Sequence, residues 1–226
     1  MSPAGSSVVE LRQYTLKPGH RDALIALFER EFVESQEAAG MDIIGTFLDA
    51  DHADRFVWLR GFPGMDERAE SLAAFYGGPV WQAHREAANA TMLDSDNVLL
   101  LKPAWEGVGF AAGGARAPVG AGALPKGMIV AAICYFARPV SADIIGTLRD
   151  AVRASGNNTL AVLATERAPN NFPRLPVREG ENVLVWFSIF PDVRTAPPLP
   201  RDLEHLLARP PEYLRLLPTA RSRLHV

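Results

Sequence analysis

Two short stretches of this chain place ionisable and aromatic side chains at alternate positions. "VELRQYT" holds Glu10, Arg12 and Tyr14 in this way, and "FVWLRGF" holds Trp58 and Arg60. Alternate residues of a β-strand share a face, so each set lies on one side of a sheet if its stretch is a strand. Guanidinium groups bind carboxylates and oxyanions, while carboxyl and phenol groups can move protons. The two stretches therefore predict a binding or catalytic site with aromatic walls.

A third stretch, "PVWQAHREAANATM", adds an imidazole group and is typical of a helix with proline at its first position. Trp81 and His84 are three residues apart, so they are neighbours on the surface of such a helix. His84 is a candidate general base because imidazole titrates near neutral pH, and Glu10 and Tyr14 are further candidates for proton transfer. The structural alternatives stay open, with Trp81 in the core and His84 on a solvated face.

Hydrophobic periodicity places these stretches in a β-α-β-β-α-β unit, which is the ferredoxin-like arrangement. Strands are predicted over 8–16, 42–48, 55–62 and 97–101, and helices over 19–39, 66–76 and 79–92. The same order returns after a Gly/Ala/Pro-rich segment, with strands over 129–139, 159–165, 182–190 and 219–224 and helices over 140–155 and 201–209.

Matching residues indicate that the second half repeats the first. Tyr14 and Pro18 match Tyr135 and Pro139 at one constant offset, and Trp58 and Pro63 match Trp186 and Pro191 at another. The two offsets differ by seven residues, which places an insertion in the loop "ERAPNNFPRLPVREGE" of the second half. Duplication of one ferredoxin-like unit accounts for both offsets.

The predicted fold is α+β, with tandem duplicated ferredoxin-like repeats that pack sheet to sheet as an α/β barrel. A ferredoxin-like sheet has helices on one face only, so its second face needs a cover. The domains are expected at 8–103 and 128–226, joined by a linker at 104–127 whose stretch 111–122 should be mobile. The aliphatic strand faces should pack on the helices, and the charged and aromatic faces should look into the barrel.

The repeat assigns the charges to one half only. On the predicted alignment, Glu10, Arg12 and Arg60 correspond to Ala131, Ile133 and Ser188. One polar end in a duplicated barrel indicates one site. A ligand-binding role and an ion-pair network that pairs Glu10 with Arg12 or Arg60 without any ligand both explain the charges.

The stretches "VELRQYTLKPG", "FVWLRGF", "PVWQAHREAANATM" and "LLLKP" resemble the NIPSNAP family of the dimeric α/β-barrel superfamily. The resemblance covers 8–103, and "VWFSIFP" and "LPTARSRL" extend it less sharply into the second half. It implies the barrel, and it makes cofactor-independent oxygenase, isomerase or lyase chemistry conceivable. Asn89 matches an asparagine common in the family. Some superfamily relatives bind haem through a histidine on a second-repeat helix; His205 holds that place here, although a surface histidine beside an apolar stripe is the simpler interpretation.

Composition narrows the remaining classes. The formal net charge of −3 argues against nucleic acid as a partner, and no stretch has the length of apolar sequence that a membrane helix needs. The single cysteine and the absence of a secretory signal favour a cytoplasmic location. No metal site, nucleotide loop or other cofactor is predicted. Uncovered sheet edges predict a homodimer or higher homo-oligomer.

The leading hypothesis is therefore a barrel that encloses a small apolar or aromatic molecule, with or without an anionic group. Arg60 and Arg12 would hold the anion, and Trp58, Trp81 and Asn89 would complete the binding site. The alternative is a non-catalytic binding or scaffold protein whose barrel is filled by its own side chains.

Overall fold

The computed structural model describes residues 5–111, 114–154, 158–190 and 201–225, with the backbone alone for 201 and 202. The strands are β1 (Val8–Leu16), β2 (Asp42–Asp49), β3 (Arg55–Phe62), β4 (Met92–Pro103), β5 (Met128–Tyr135), β6 (Thr159–Thr165), β7 (Val183–Phe190) and β8 (Glu212–Pro218). The helices are α1 (Arg21–Leu27), α2 (Val33–Ala38), α3 (Met65–Gly77), α4 (Pro79–Thr91), α5 (Ala142–Ala154) and α6 (Arg201–Glu204), and a π-helical segment (Phe28–Phe32) joins α1 to α2.

The strands close into an antiparallel barrel in the order β1-β3-β2-β8-β5-β7-β6-β4. Each half contributes four neighbouring strands, β4-β1-β3-β2 from the first and β6-β7-β5-β8 from the second. Short ladders of three residue pairs each, between β2 and β8 and between β4 and β6, join the two blocks. The predicted barrel is confirmed. Closure gives every described strand two neighbours, so exposed edges no longer argue for a homodimer, which stays a prediction.

The barrel interior is apolar and mostly aliphatic, and the predicted orientation of the strand faces is wrong. Val9, Leu11, Val57 and Leu59 belong to one buried cluster to which all eight strands contribute. Tyr14 and Trp58 instead pack in a second cluster with side chains of the helices. Alternation shows which residues share a face, but it does not show which face turns inward. The narrow barrel encloses mostly aliphatic side chains, whereas the charged face of β1 and β3, with Tyr14 and Trp58, lies beneath the helices.

The strand ladders also correct the predicted alignment of the two halves. Arg12 lies opposite Trp58, and Ala132 lies opposite Trp186. The equivalent positions in β1 and β5 are therefore one residue away from the predicted ones, so Ala131, Ile133 and Tyr135 are not the counterparts of Glu10, Arg12 and Tyr14. When the two ladders are superimposed at the tryptophans, Val130, Cys134 and Ser188 take the places of Glu10, Tyr14 and Arg60. A shift of one residue turns every side chain to the other face of a strand, which is why the chance match of two tyrosines misled the alignment.

Several predicted boundaries differ from the structure in the second half. The predicted helix 201–209 ends at Glu204, so exposed His205 follows the helix. The predicted final strand 219–224 is a turn, and the last strand is β8, seven residues earlier. β8 was missed in the sequence because prolines lie at both of its ends, although Leu214 and Leu216 alternate along it and are buried in the barrel. Ser155, the last residue of the predicted helix 140–155, lies outside the described residues. The same holds for Pro191, which was matched with Pro63 in the predicted repeat.

The predicted linker is partly packed rather than free. Phe110 enters the cluster of the barrel interior, where its ring centroid lies 5.0 Å from that of Phe187. Further on, the Arg116 guanidinium donates hydrogen bonds to the Glu37 carboxylate and to the Ile43 carbonyl oxygen. The segment therefore has anchors that its composition did not indicate. Its residues 112 and 113 lie outside the described ranges, and the mobility of 111–122 stays a prediction.

Candidate functional site

One buried carboxylate binds three guanidinium groups on the helix side of the first half. Glu10 Oε2 accepts hydrogen bonds from Arg12 Nη1 at 2.6 Å and from Arg60 Nε at 2.7 Å. Glu10 Oε1 accepts a hydrogen bond from Arg68 Nε at 2.7 Å. The four side chains, here called the Glu10 cluster, are at most 1% exposed. Both the predicted ion pairs of Glu10 and a third, unpredicted one are present.

Neighbouring strands and one helix position this cluster. Glu10 on β1 lies directly opposite Arg60 on β3, and Arg12 lies two residues further along the same face of β1. Arg68 is on α3, which begins after Gly64 and packs over these strands. Arg68 was missed in the sequence, although a signal was present. It shares the buried stripe of α3 with Leu72 and Phe75, and an arginine within such a stripe needs a buried partner.

The Glu10 cluster carries more positive charge than negative. One carboxylate faces three guanidinium groups, a net charge of +2. Among the described residues, Arg60 Nη2 and Arg68 Nη2 have no hydrogen-bond partner, although both are buried. Each free Nη2 belongs to a guanidinium group whose Nε binds Glu10, so both free donors lie near the same carboxylate. The cluster therefore has both the charge and the donors to hold an anion.

The same charges set the protonation state of Glu10. Burial by itself would raise the pKa of this carboxyl, but the nearby Arg60, Arg12 and Arg68 outweigh burial and hold the pKa well below its usual range. Glu10 therefore stays ionised and is too weak a base to accept a proton near neutral pH. Its geometry suits it to hold the arginines in place, and the predicted catalytic role of Glu10 as a base gains no support from this environment.

Tyr14 lies beside the cluster and keeps its proton. Its hydroxyl oxygen accepts a hydrogen bond from Arg12 Nε at 3.1 Å. Burial is the main cause that raises the pKa of the Tyr14 phenol, against the opposing effect of Arg12. A neutral phenol with its oxygen held by a guanidinium can donate a proton or a hydrogen bond. Tyr14 is therefore the member of the predicted catalytic set whose chemistry fits this place.

An aromatic cavity of about 30 Å³ adjoins the cluster. Its walls include the rings of Tyr14, Phe28, Phe32, Trp58, Tyr76 and Trp81. Gln36 links cavity and cluster, because it lines the cavity while its Oε1 accepts a hydrogen bond from Arg60 Nη1 at 3.1 Å. The Arg60 guanidinium also lies 5.1 Å from the centre of the Trp58 ring, a distance typical of cation–π contact.

The π-helical segment helps to shape this cavity. Phe28, Phe32 and Gln36 follow one another at four-residue intervals and face the sheet, with the Phe28 ring centroid 4.7 Å from that of Trp58. Gln36 Nε2 donates to the Phe32 carbonyl oxygen at 3.0 Å, which aims the Gln36 amide oxygen at Arg60. Gln36 was missed in the sequence because a polar residue on a helix usually faces solvent.

The remaining predicted site residues lie around the cavity or away from it. Trp81 lines the cavity and packs against Phe32, with ring centroids 5.6 Å apart. His84, one turn further along α4, is partly exposed, and its Nε2 lies 3.5 Å from Glu31 Oε2. Asn89 is exposed on the same helix. Trp81 thus belongs to the site, His84 contacts Glu31 rather than the Glu10 cluster, and the structure does not bring Asn89 to either.

The second half lacks these features at the equivalent positions. Trp186 Nε1 donates a hydrogen bond to Thr159 Oγ1 at 3.0 Å, whereas Trp58 Nε1, equally buried, has no partner among the described residues. Ser188 replaces Arg60, and the layer around Trp186 is apolar and includes Cys134. The first half therefore presents a free indole donor and surplus guanidinium groups where the second half is satisfied by its own side chains.

Other site types receive no support from the described part of the chain. No group of three His, Cys, Asp or Glu side chains there is placed to hold a metal ion. No helix among the described residues has the length and apolar character needed to cross a membrane.

Comparison with known proteins places the first half in a family. The NIPSNAP family profile matches residues 9–105. A NIPSNAP-like domain protein from Burkholderia xenovorans is 28% identical over 42% of this chain and 84% of its own, with a TM-score of 0.40. Candidate monooxygenases from Fusobacterium nucleatum and Lactobacillus acidophilus share the whole fold, with TM-scores of 0.56 and 0.53 at 8% and 13% identity. These two alignments cover 98% and 96% of this chain and 98% of each relative.

No curated protein matches the chain in sequence. The alignments with the two candidate monooxygenases extend over both halves, so the barrel as a whole is a known arrangement, while their low identity limits the likeness to the fold. The profile match, by contrast, spans β1 to β4 and includes every strand residue of the Glu10 cluster. Residues 9–105 of this chain match the NIPSNAP family profile and are called the NIPSNAP domain below.

Proposed function

We propose that the NIPSNAP domain of this chain binds a small anion with an apolar or aromatic body, held between its sheet and its helices. The anionic group would bind the Glu10 cluster, and the body would enter the aromatic cavity beside it. The observation that carries the proposal is the surplus of buried guanidinium charge, with free donors at Arg60 Nη2 and Arg68 Nη2. The site moves from the barrel interior, where it was expected, to the helix side of the sheet.

The electrostatic argument rests on the cost of buried charge. A buried cation without a partner is unfavourable by several kcal/mol, and arginine seldom escapes that cost by losing its proton. A carboxylate or other oxyanion beside Arg60 and Arg68 would neutralise part of the surplus and satisfy the free donors. The unpartnered indole of Trp58 supplies a further donor at the cavity wall. An anion therefore completes this environment better than a neutral ligand does.

The size of the cavity restricts how the ligand enters. A volume of about 30 Å³ holds one or two water molecules, whereas sites for organic ligands typically have several hundred Å³. Binding of an aromatic acid therefore requires side chains to move apart. Tyr76 and Trp81 are the partly exposed aromatic residues of the wall, and the Gly77–Gly78 corner between α3 and α4 separates them. Movement at this corner would open the cavity without disturbing the barrel.

Titration calorimetry with a matched pair of probes tests the proposal. Phenylacetate carries the anionic group and the aromatic body, and 2-phenylethanol has a similar shape without the charge. The protein should bind phenylacetate and not 2-phenylethanol, and Arg60→Ser should lose phenylacetate binding. Arg149→Ser is the matched control, because the Arg149 guanidinium also lies over an aromatic ring, that of Trp105, but belongs to α5 of the second half. Equal binding of both probes, or no loss in Arg60→Ser, would contradict the proposal.

Native mass spectrometry of the purified protein complements this test, because it reports a retained ligand and the oligomeric state together. A bound molecule that disappears in Arg60→Ser and persists in Arg149→Ser would locate it at the Glu10 cluster. The expected mass corresponds to a small organic acid.

Catalysis would use the same place. If the bound anion is a substrate, the reaction class is cofactor-independent oxygenation, isomerisation or lyase chemistry, with Tyr14 as proton donor and Arg12 and Arg60 holding the oxyanion. Replacement of Tyr14 by Phe would then abolish turnover while ligand binding persists. His84 remains a candidate only through movement of α4, since it now pairs with Glu31.

The second candidate function is a non-catalytic binding or scaffold role. The filled barrel favours it, because the interior is closed by aliphatic side chains from all eight strands and by Phe110. On this view the Glu10 cluster is an ion-pair network that holds α3 on the sheet. Failure of phenylacetate and related acids to bind, together with a clean mass for the purified protein, would favour this role.

We also propose that the two halves of the chain are two repeats of one unit. The matching strand orders of the two halves support a tandem repeat with domains at 8–103 and 128–226 and a connecting segment at 104–127. A cytoplasmic location and a homodimer or higher homo-oligomer remain predictions, to be checked by fractionation and by native mass spectrometry.

A further inference from the structure

The insertion that distinguishes the second half reaches across to the first. It comprises residues 166–181 between β6 and β7, here called the 166–181 loop, and its base runs beside β4 of the first half. Glu166 N donates to the Leu100 carbonyl oxygen at 2.9 Å, and Arg178 N donates to the Val98 carbonyl oxygen at 2.8 Å. The corresponding connection between β2 and β3 spans only residues 50–54. The loop therefore extends the sheet of the NIPSNAP domain with backbone from the other half.

The tip of the loop contacts the Glu10 cluster directly. Arg68 Nη1 donates hydrogen bonds to Asn170 Oδ1 at 3.1 Å and to Asn171 Oδ1 at 2.8 Å. Each amide is held in that orientation, because Asn170 Nδ2 donates to the Leu175 carbonyl oxygen and Asn171 Nδ2 to that of Met65. The two amide oxygens thus accept hydrogen bonds from Nη1 of Arg68, and Glu10 accepts one from Nε. Within the described ranges, Nη2 of Arg68 has no acceptor.

The next residue of the loop reaches the aromatic cavity. The Phe172 ring stacks on Tyr76, with centroids 6.0 Å apart and planes 29° apart. Tyr76 is a wall of the cavity, and Phe172 and Leu175 pack against the same cluster of helix and sheet residues. An additional hydrogen bond from Phe172 N to Asn170 Oδ1, at 3.1 Å, keeps the tip compact. The loop therefore packs against the partly exposed side of the cavity as well as the Glu10 cluster.

We infer that the 166–181 loop completes the ligand site of the NIPSNAP domain, with Asn170 and Asn171 as positioning residues and Phe172 as a specificity-determining residue. The asparagines fix the guanidinium plane of Arg68 so that its free Nη2 serves the anion. Phe172 holds Tyr76 against the cavity and so limits the size of the aromatic body. This inference rests on the proposed function, and it makes the site of the first half dependent on the second.

The test uses the full chain and two acids of different size, phenylacetate and 1-naphthylacetate, measured by titration calorimetry. The double variant Asn170→Ala/Asn171→Ala should weaken both acids about tenfold, the effect of losing hydrogen bonds that orient a charged group. Phe172→Ala should shift the preference about tenfold toward 1-naphthylacetate, because Tyr76 loses its backing. Arg174→Gln is the control, since this exposed residue of the same loop changes no tip contact and should bind both acids like the unchanged protein.

A further variant separates positioning from a merely structural role. Asn170→Asp places a negative charge beside Arg68 and keeps the acceptor for Phe172 N, so the fold should persist in thermal melting. Because the new carboxylate neutralises part of the surplus charge, phenylacetate affinity should fall at least tenfold. Unchanged affinity in a folded Asn170→Asp would overturn the inference.

The outcomes for the two proposals differ. If the unchanged protein binds neither acid, the proposed function fails and this inference fails with it. If it binds phenylacetate and the loop variants bind both acids with the same affinities and the same preference, only the role of the loop is overturned.

Discussion

Trp58 and Trp186 hold the same place in the two halves, opposite the middle of β1 and β5, yet their surroundings differ. Trp58 lies between Arg12 and Arg60, with ring-to-guanidinium distances of 5.6 and 5.1 Å, and no described residue accepts a hydrogen bond from its indole nitrogen. Trp186 donates to Thr159 and packs within an apolar layer. The backbone arrangement is the same, so the side chains at equivalent positions decide which half carries charge. Among the described residues, the surplus buried charge around the tryptophan therefore belongs to the first half.

The comparison also shows what a buried charged site requires. The first half covers its sheet with α1 to α4 and with the 166–181 loop, and these elements supply Gln36, Arg68 and the two asparagines that the cluster uses. Around Trp186, hydrophobic side chains such as Leu148 and Leu203 suffice. Buried charges need partners fixed in direction, whereas apolar packing needs only a good fit of shape.

The largest effect on stability should follow from replacing Glu10, at the centre of the cluster, by the residue at the equivalent position of the second half. Glu10→Val copies Val130 and leaves three buried guanidinium groups without a carboxylate, which should lower the free energy of unfolding by about 3–5 kcal/mol. Urea denaturation measures the change. Asp150→Ala is the control, because Asp150 pairs with Arg153 through side chains that are 79% and 77% exposed, and its loss should cost under about 1 kcal/mol. Similar losses in the two variants would contradict the cluster's central role.

Acid should remove the contribution of Glu10 in a defined range. In the unfolded chain a glutamate takes up its proton near pH 4.3, whereas the arginines hold the pKa of folded Glu10 well below that value. The folded state then binds fewer protons, so this contribution is complete above about pH 5 and decreases by about 1.4 kcal/mol per pH unit below about pH 4.3.

Unfolding measured between pH 3 and pH 7 for the unchanged protein and for Glu10→Gln isolates this effect from other carboxyl groups. The difference in stability between the two proteins should be constant from pH 5 to 7 and shrink by about 2 kcal/mol at pH 3. A difference that is independent of pH would show that Glu10 has an ordinary pKa.

Exchange of the residues at the equivalent positions 60 and 188 should have a moderate effect on stability. Arg60→Ser copies Ser188, and Glu10 keeps Arg12 and Arg68, so the loss should be about 1–2 kcal/mol rather than the full cost of an unpaired charge. Ser188→Arg inserts a cation into an apolar layer without a carboxylate and should destabilise more than Arg60→Ser. Denaturation of both variants checks the order, and the reverse order would mean that the second half can accommodate charge.

The smallest effect concerns Cys134, which occupies the place of Tyr14 in the second half. Burial raises the pKa of this thiol to about 12, so the folded protein should not react with a thiol reagent at pH 8. The same reagent should label one thiol per chain in urea. Rapid labelling of the folded protein would indicate an opening in the second half comparable to the cavity of the first.

The fold was largely predictable because it follows from local patterns. The β-α-β-β-α-β order and the barrel were predicted from the sequence, and the strand positions were close except for β8. The members of the site were partly predictable, since Glu10, Arg12, Tyr14, Trp58 and Arg60 were recognised as one face. Arg68, Gln36 and the two asparagines were missed, because they come from elements far apart in sequence whose docking no local pattern reveals.

By itself, the sequence determined which side chains lie together along each strand, because the side-chain direction of a strand alternates with every residue. It also determined that only one half carries the charges at these positions. The tertiary structure alone decided that this face turns toward the helices. Closure of eight strands leaves a narrow interior that aliphatic side chains fill, and the charged face then needs a cover that can supply partners. The helices and the 166–181 loop provide that cover, and they supply Arg68, Gln36 and the two asparagines as partners.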